Sequence, residues 1–176
     1  MKNGRRLIDH ELLIRKHHLN PTQPAPDSLF WKMWNASLAV AQQALATGFI
    51  QGIKTGNLDP TIYGAFHISD IYYCDRGAAD YGMAAGRTTD PVLQDYLLTK
   101  QQSYNEYNSA LCATWRLSGP QSVVPTRTAL DYSLFETSIA KGAAKQGSVC
   151  DPIFALVVMI PCEYLWAWLA AHLAPP

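Results

Sequence analysis

Apolar positions along this chain recur at intervals of three and four, the spacing of one face of an α-helix. One such stripe runs through Phe30, Trp31, Trp34, Leu38, Ala41, Leu45 and Phe49. Asp27 or Ser28 stands just ahead of it as a cap, so the pattern predicts a single helix ending at Lys54-Thr55-Gly56-Asn57. Two further stripes open on an aspartate followed by proline. Asp59-Pro60 precedes Ile62, Tyr63, Phe66, Ile68, Ile71, Tyr72 and Tyr73, and Asp90-Pro91 precedes Leu93, Leu97, Tyr104, Tyr107, Leu111 and Trp115. The aspartate accepts from amides of the first turn, where the missing N–H of proline leaves no bond unmade. Thr126 or Thr128 opens a fourth helix through Leu130, Leu134 and Ile139, and Asp151-Pro152 opens a fifth that reaches Leu173. No segment alternates with period two, so the expected architecture is an all-α bundle of five helices.

Composition narrows this picture. The chain has 176 residues, 48% hydrophobic and 16% charged, with a formal net charge of zero. That size and apolar fraction fit one globular domain, and the neutral balance argues against nucleic acid or an anionic membrane as partner. Residues 1–26, ending in the breaker-rich Asn20-Pro21-Thr22-Gln23-Pro24-Ala25-Pro26, read as a poorly ordered leader, with residues 27–176 as the single domain. After Lys2, Arg5 and Arg6 the apolar Leu7-Ile8 is cut short by Asp9, His10 and Glu11, which is not a signal-peptide pattern. Cys74, Cys112, Cys150 and Cys162 have no CxxC spacing, so they are expected as free thiols of a cytoplasmic protein. The run from Ile153 to Leu173 has the length of a membrane span. Pro161, Glu163 and His172 inside it point instead to a buried core helix.

Candidate chemistry gathers in two of the helices. In the last, Ile160-Pro161-Cys162-Glu163-Tyr164 interrupts an apolar segment. Pro161 cannot donate to the carbonyl of Val157, so a kink with exposed polar backbone is expected beside the thiol. In the second, Asp70 sits among bulky neighbours with Tyr73 and Cys74 on its own face. A carboxylate there needs a donor, either a tyrosine or backbone group elsewhere in the bundle or a cationic, amidine-like ligand. Asp131, Tyr132 and Glu136 form either a solvated edge or part of a site. His67 and Asp70, three residues apart, raise metal binding, but no Glu-x-x-His pair of the di-iron bundles is present. There is no GxGxxG, P-loop or zinc spacing, and no cofactor is implied.

Taken together, Phe49-Ile50-Gln51-Gly52-Ile53, Gly56-Asn57-Leu58, Ser69-Asp70-Ile71-Tyr72-Tyr73 and Ile160-Pro161-Cys162 resemble, in order, the blocks of the TenA/thiaminase II family. The likeness runs from about Trp31 to about Leu173. It implies a haem-oxygenase-like, all-α fold, a homo-oligomer, and a hydrolase acting on thiamin or an aminopyrimidine. By the resemblance, Asp70 is the aspartate that binds the aminopyrimidine ring and Tyr73 the active-site tyrosine after it. Tyr132 is then the tyrosine that hydrogen-bonds the thiol, and Cys162 the nucleophile, with Ile160 in place of leucine. Trp166 stands where an aromatic residue lies one turn beyond the cysteine.

The family pattern continues past the cysteine helix with helices that carry a proton-donating glutamate, whereas here the sequence reads Ala174-Pro175-Pro176. The expectation is therefore a C-terminally shortened bundle, with apolar surface bared on Trp166, Trp168 and Leu169. Glu136, on the face of Tyr132, is the candidate substitute acid; Glu163 is set about 100° around the helix from the thiol. A surplus segment near 142–150 lengthens the span between Tyr132 and Cys162. Against the hydrolase stand a non-catalytic binder of small aromatic ligands and a bundle that docks another protein.

Overall fold

The computed structural model describes residues 23–142 and 151–173. Most of the expected leader and nearly all of the surplus segment lie outside these residues. Among the described residues there are six α-helices and one short 3-10 turn, and no strand, so the all-α class holds. The helices are α1 (Leu29–Leu45), α2 (Gly48–Thr55), α3 (Pro60–Ala85), α4 (Pro91–Trp115), α5 (Arg127–Ala140) and α6 (Ile153–Leu173).

One expected helix is in fact two, α1 and α2. Thr47 takes extended backbone angles between them; its hydroxyl donates to the carbonyl of Ala44 at 2.7 Å and accepts from the amide of Ile50 at 3.4 Å. A threonine that bonds its local backbone offers the chain an alternative to the helical ladder, and the apolar stripe is blind to that competition. The other boundaries follow the cap residues. Asp59 accepts from the Thr61 amide at 2.7 Å, Asp90 from Val92 at 2.8 Å, Thr126 from Ala129 at 3.2 Å and Asp151 from Ile153 at 2.9 Å. Gly56 ends α2 at φ 70°, a left-handed conformation that glycine adopts without strain.

The chain divides into two compact units at Leu38/Ala39. In the first, Ser28 caps α1 through the Trp31 amide, and the Trp31 indole donates to the Pro24 carbonyl at 3.0 Å. The second unit holds the candidate site, with α3 at its centre. Antiparallel α4 lies close against it, and Gly77 shows why: a Cβ there would meet the Tyr104 ring at 2.8 Å. α6 also runs antiparallel to α3, pairing Phe66 with Trp166 at one level and Gly77 with Met159 at another. α5 joins from a third side, where Arg87 of the α3–α4 connection donates to the carbonyls of Ile139 and Ala140. A cation at these last carbonyls of α5 also complements the helix dipole.

The core between these helices comprises Tyr73, Cys74, Ala78, Tyr81, Ala84, Leu97, Tyr104, Ala155 and Met159. Leu97 is fully buried, a removal from water worth about 1.5–3 kcal/mol. α6 departs from the expected core helix. Only Ala155, Met159 and Leu169 are buried along it, while Ile153 and Phe154 are exposed. By length and composition it is a helix that could cross a membrane. Leu169, expected bare, is 2% exposed.

Candidate active site around Cys162

α6 continues through Pro161 with no break in its helical assignment. The proline deprives the Val157 carbonyl of its usual donor, and the neighbouring Val158 carbonyl receives the Tyr132 hydroxyl at 3.0 Å. That contact differs from the expected one: the Tyr132 hydroxyl goes to the main chain of the proline turn, not to the thiol. The reason is local. A carbonyl oxygen is a far better acceptor for a phenol than a thiol is. Tyr132 remains at the site, its ring stacked on that of Tyr73 with centroids 5.8 Å apart and planes 8° from parallel.

Tyr73 is the residue that joins the parts. Its hydroxyl donates to Glu136 Oε1 at 3.2 Å, and its phenol lies close enough to the Cys162 thiol to bear on that thiol's titration. Glu136 is fully buried, so the solvated-edge reading fails for it, while Asp131 pairs with Arg127 in solvent. Its Oε2 has no hydrogen-bond partner. Burial pushes the Glu136 carboxyl up to about 8; the Tyr73 and Tyr132 hydroxyls pull against that, and the charges of Asp80 and Glu163 add to it. At neutral pH the group is therefore mostly a carboxylic acid able to donate.

Cys162 is half-buried against the core cluster. Burial pushes its thiol up to about 12; the Tyr73 phenol lowers it, while Asp70, Glu136 and Glu163 oppose formation of a second anion. At neutral pH the sulfur is a protonated thiol, so any addition by it requires a route for its proton.

Asp70 accepts from the Tyr107 hydroxyl of α4 at 2.7 Å, the tyrosine partner that its burial called for. Trp166 packs on Phe66, one turn from Cys162 and one turn from Asp70 respectively, with ring centroids 5.3 Å apart. Four of the six sequence-derived residues (Asp70 and Tyr73 of α3, Tyr132 and Glu136 of α5) thus gather around the thiol of a fifth, Cys162 of α6. Trp166 lies a turn further along.

Glu163, set aside in the sequence because it points away from the thiol, anchors the other half of this polar cluster, whose remaining members the sequence did not single out. Glu163 accepts from the Tyr81 hydroxyl at 2.9 Å and the Tyr104 hydroxyl at 3.0 Å, and forms an ion pair with Lys100 of α4. Asp80, fully buried, accepts from Thr137 at 2.9 Å, and burial raises its pKa. Tyr81 at i+11 from Asp70 falls on the same stripe of α3, a spacing that could have drawn attention to it. Lys100 gives no such signal, because nothing in its neighbourhood separates it from a solvated lysine.

Among the described residues no three His, Cys, Asp or Glu side chains are grouped so as to hold a metal ion. Two surface depressions lie away from the thiol. One runs along α4 past Gln101, Asn105 and Ser109; the other lies between Arg87, Asp90 and the start of α6. The chain matches no known family model and no curated protein.

Proposed function

We propose that the Cys162 cluster is the active site of a hydrolase of the TenA/thiaminase II type on a haem-oxygenase-like bundle, acting on thiamin or a related aminopyrimidine. The observation that carries the reading is the grouping of Cys162, Tyr73 and Glu136, in which a phenol beside the thiol donates to a buried acid that is mostly neutral. Such a set suits addition of a thiol across a ring C=N bond. Sulfur bonds to the ring carbon while Glu136 protonates the ring nitrogen, and the thiol proton returns through Tyr73 to Glu136. No net charge then builds up in the apolar site. Electrons from the ring then expel the leaving group from the exocyclic methylene, water adds to that methylene, and departure of the sulfur, which takes back its proton, restores the aromatic ring. Asp70 orients the ring, Trp166 and Phe66 border it, and Tyr132 steadies the proline turn beneath the thiol. The same reading carries with it a cytoplasmic homo-oligomer without cofactor.

One observation favours a second reading. A thiol held near 12 is poorly prepared for attack, which suits a protein that binds the ring without reacting. A single experiment separates the two. Purified protein is incubated with thiamin or an aminopyrimidine, and intact mass and released product are followed beside the Cys162→Ser variant. Turnover that vanishes in the variant supports the hydrolase. Binding without adduct or product supports the binder, and absence of both binding and turnover rejects the two together.

A further inference from the structure

The seam between α3 and α5 is polar where a helix contact is ordinarily apolar. Ser133, Glu136, Thr137 and Ala140 lie at i, i+3, i+4 and i+7 of α5, and all four are buried. Contacts advance together along the two helices. Tyr73 donates to Glu136 Oε1 at 3.2 Å, Thr137 to Asp80 Oδ2 at 2.9 Å, and Arg87 to the carbonyls of Ile139 and Ala140. The two helices thus run the same way here, and Ser133, one turn before Glu136 and Thr137, lies over the stretch of α3 between Tyr73 and Asp80. Side chains tilt toward the N-terminus of their own helix, so Glu136 and Asp80 both lean back into that stretch. Each carboxyl is fixed through one oxygen and leaves the other, Glu136 Oε2 and Asp80 Oδ1, without a hydrogen-bond partner. Ser133 Oγ has none either, and all three side chains are fully buried. A buried polar atom left unbonded costs stability, and three of them on one seam call for a guest.

We infer that this seam is a site for one internal water, bonded by Asp80 Oδ1, Ser133 Oγ and Glu136 Oε2, which links the two carboxyl groups. Three atoms match the usual valence of a buried water, about three hydrogen bonds to groups otherwise unsatisfied. The charges favour water over a metal ion. Glu136 is mostly a neutral acid at neutral pH, and the cations Arg76 and Lys141 act on Asp80, so no surplus of negative charge is left to balance. Glu136 donates to the water, and the water donates to Asp80 and to Ser133. The same bonds form a proton path: Glu136 gives its proton to the water while the water gives one of its own to Asp80, and the negative charge passes to Glu136. The use of that path in turnover rests on the hydrolase reading; the water site does not. Expulsion of a cationic thiazolium as neutral thiazole, followed by addition of water, leaves one proton over. Glu136 as carboxylate can take it up, with Asp80 the positioning residue that made it so.

The test is a crystal structure of the whole chain at a resolution that shows ordered water, beside urea unfolding of the Ser133→Ala variant. Density within about 2.5–3.2 Å of Asp80 Oδ1, Ser133 Oγ and Glu136 Oε2 is expected. Ser133→Ala should raise the unfolding equilibrium constant about fivefold, because it takes one hydrogen bond from the water. Direct bonds among the three side chains, or a metal ion in their midst, overturn the inference. So does a Ser133→Ala variant more stable than wild type, since a hydroxyl with nothing to bond is better removed. Asp80→Asn keeps the acceptor for Thr137, and circular dichroism checks that its helix content is unchanged. With thiamin it should lower kcat about 10²-fold at unchanged KM, a split that altered ring binding would not give. An unchanged kcat overturns the proton path. Absence of turnover in the wild type removes that path together with the hydrolase reading, and the crystal and the Ser133→Ala variant decide the water site by themselves.

Discussion

Glu136→Gln is the perturbation with the most specific consequence, and its sign follows from burial. A carboxyl that titrates near its ordinary 4.5 in the unfolded chain and near 8 in the fold holds its proton more tightly when folded. Its contribution to stability is complete below the unfolded pKa and is lost as pH rises through the folded one. The window is therefore pH 4.5 to 8, and the loss across it amounts to about 5 kcal/mol, of which about 4 kcal/mol falls between pH 5 and pH 9. That is comparable with much of a domain's net stability of about 5–15 kcal/mol. Glutamine keeps the shape and the acceptor for Tyr73 but cannot ionise. Urea unfolding followed by circular dichroism at pH 5, 6, 7, 8 and 9 reads the difference between the two proteins. The variant should be within about 1 kcal/mol of wild type at pH 5 and more stable by several kcal/mol at pH 9. Asp80 and Glu163 are present in both proteins, so their own titration largely cancels. Parallel stability curves would refute the reasoning, because Glu136 would then be ionised in the fold at no cost.

Two further substitutions probe the frame around the thiol. Gly77→Ala puts a Cβ 2.8 Å from the Tyr104 ring, an overpacking that should destabilise by about 1–3 kcal/mol, read as a lower urea midpoint. Tyr132→Phe removes the donor to the Val158 carbonyl and should cost about 1 kcal/mol by the same measurement. It should also leave the stacking on Tyr73 in place, so near-ultraviolet circular dichroism should change little.

The helix starts were legible because they are local chemistry. An aspartate or threonine within three residues of free amides does not depend on the rest of the fold. The Thr47 break was missed because its signal is one hydroxyl inside an otherwise continuous apolar stripe. At the site, Asp70, Tyr73 and Cys162 stood out as polar groups in apolar company, and the bundle does bring them together. Glu136 could be paired with Tyr132 by spacing, but its full burial could not be read from α5. Leu134 and Phe135 beside it are exposed, which inverts the usual order of apolar inside and polar outside. The partner that makes this inversion tolerable, Tyr73, lies 63 residues away in sequence.

α6 shows where such pattern reading loses its grip. Almost every position along it is apolar, so the sequence carries no stripe to say which side meets the core. The facing is instead chosen by its few polar groups: Glu163 must reach Tyr81, Tyr104 and Lys100, and the Val158 carbonyl must reach Tyr132. With those bonds made, Ala155 and Met159 turn inward by default, one helical turn apart. The polar residues that look like interruptions of this helix are thus the ones that orient it. By the same bonds they bring Cys162 to the one level of α3 where Asp70 and Tyr73 flank it, so orientation of the helix and composition of the site have a single physical cause.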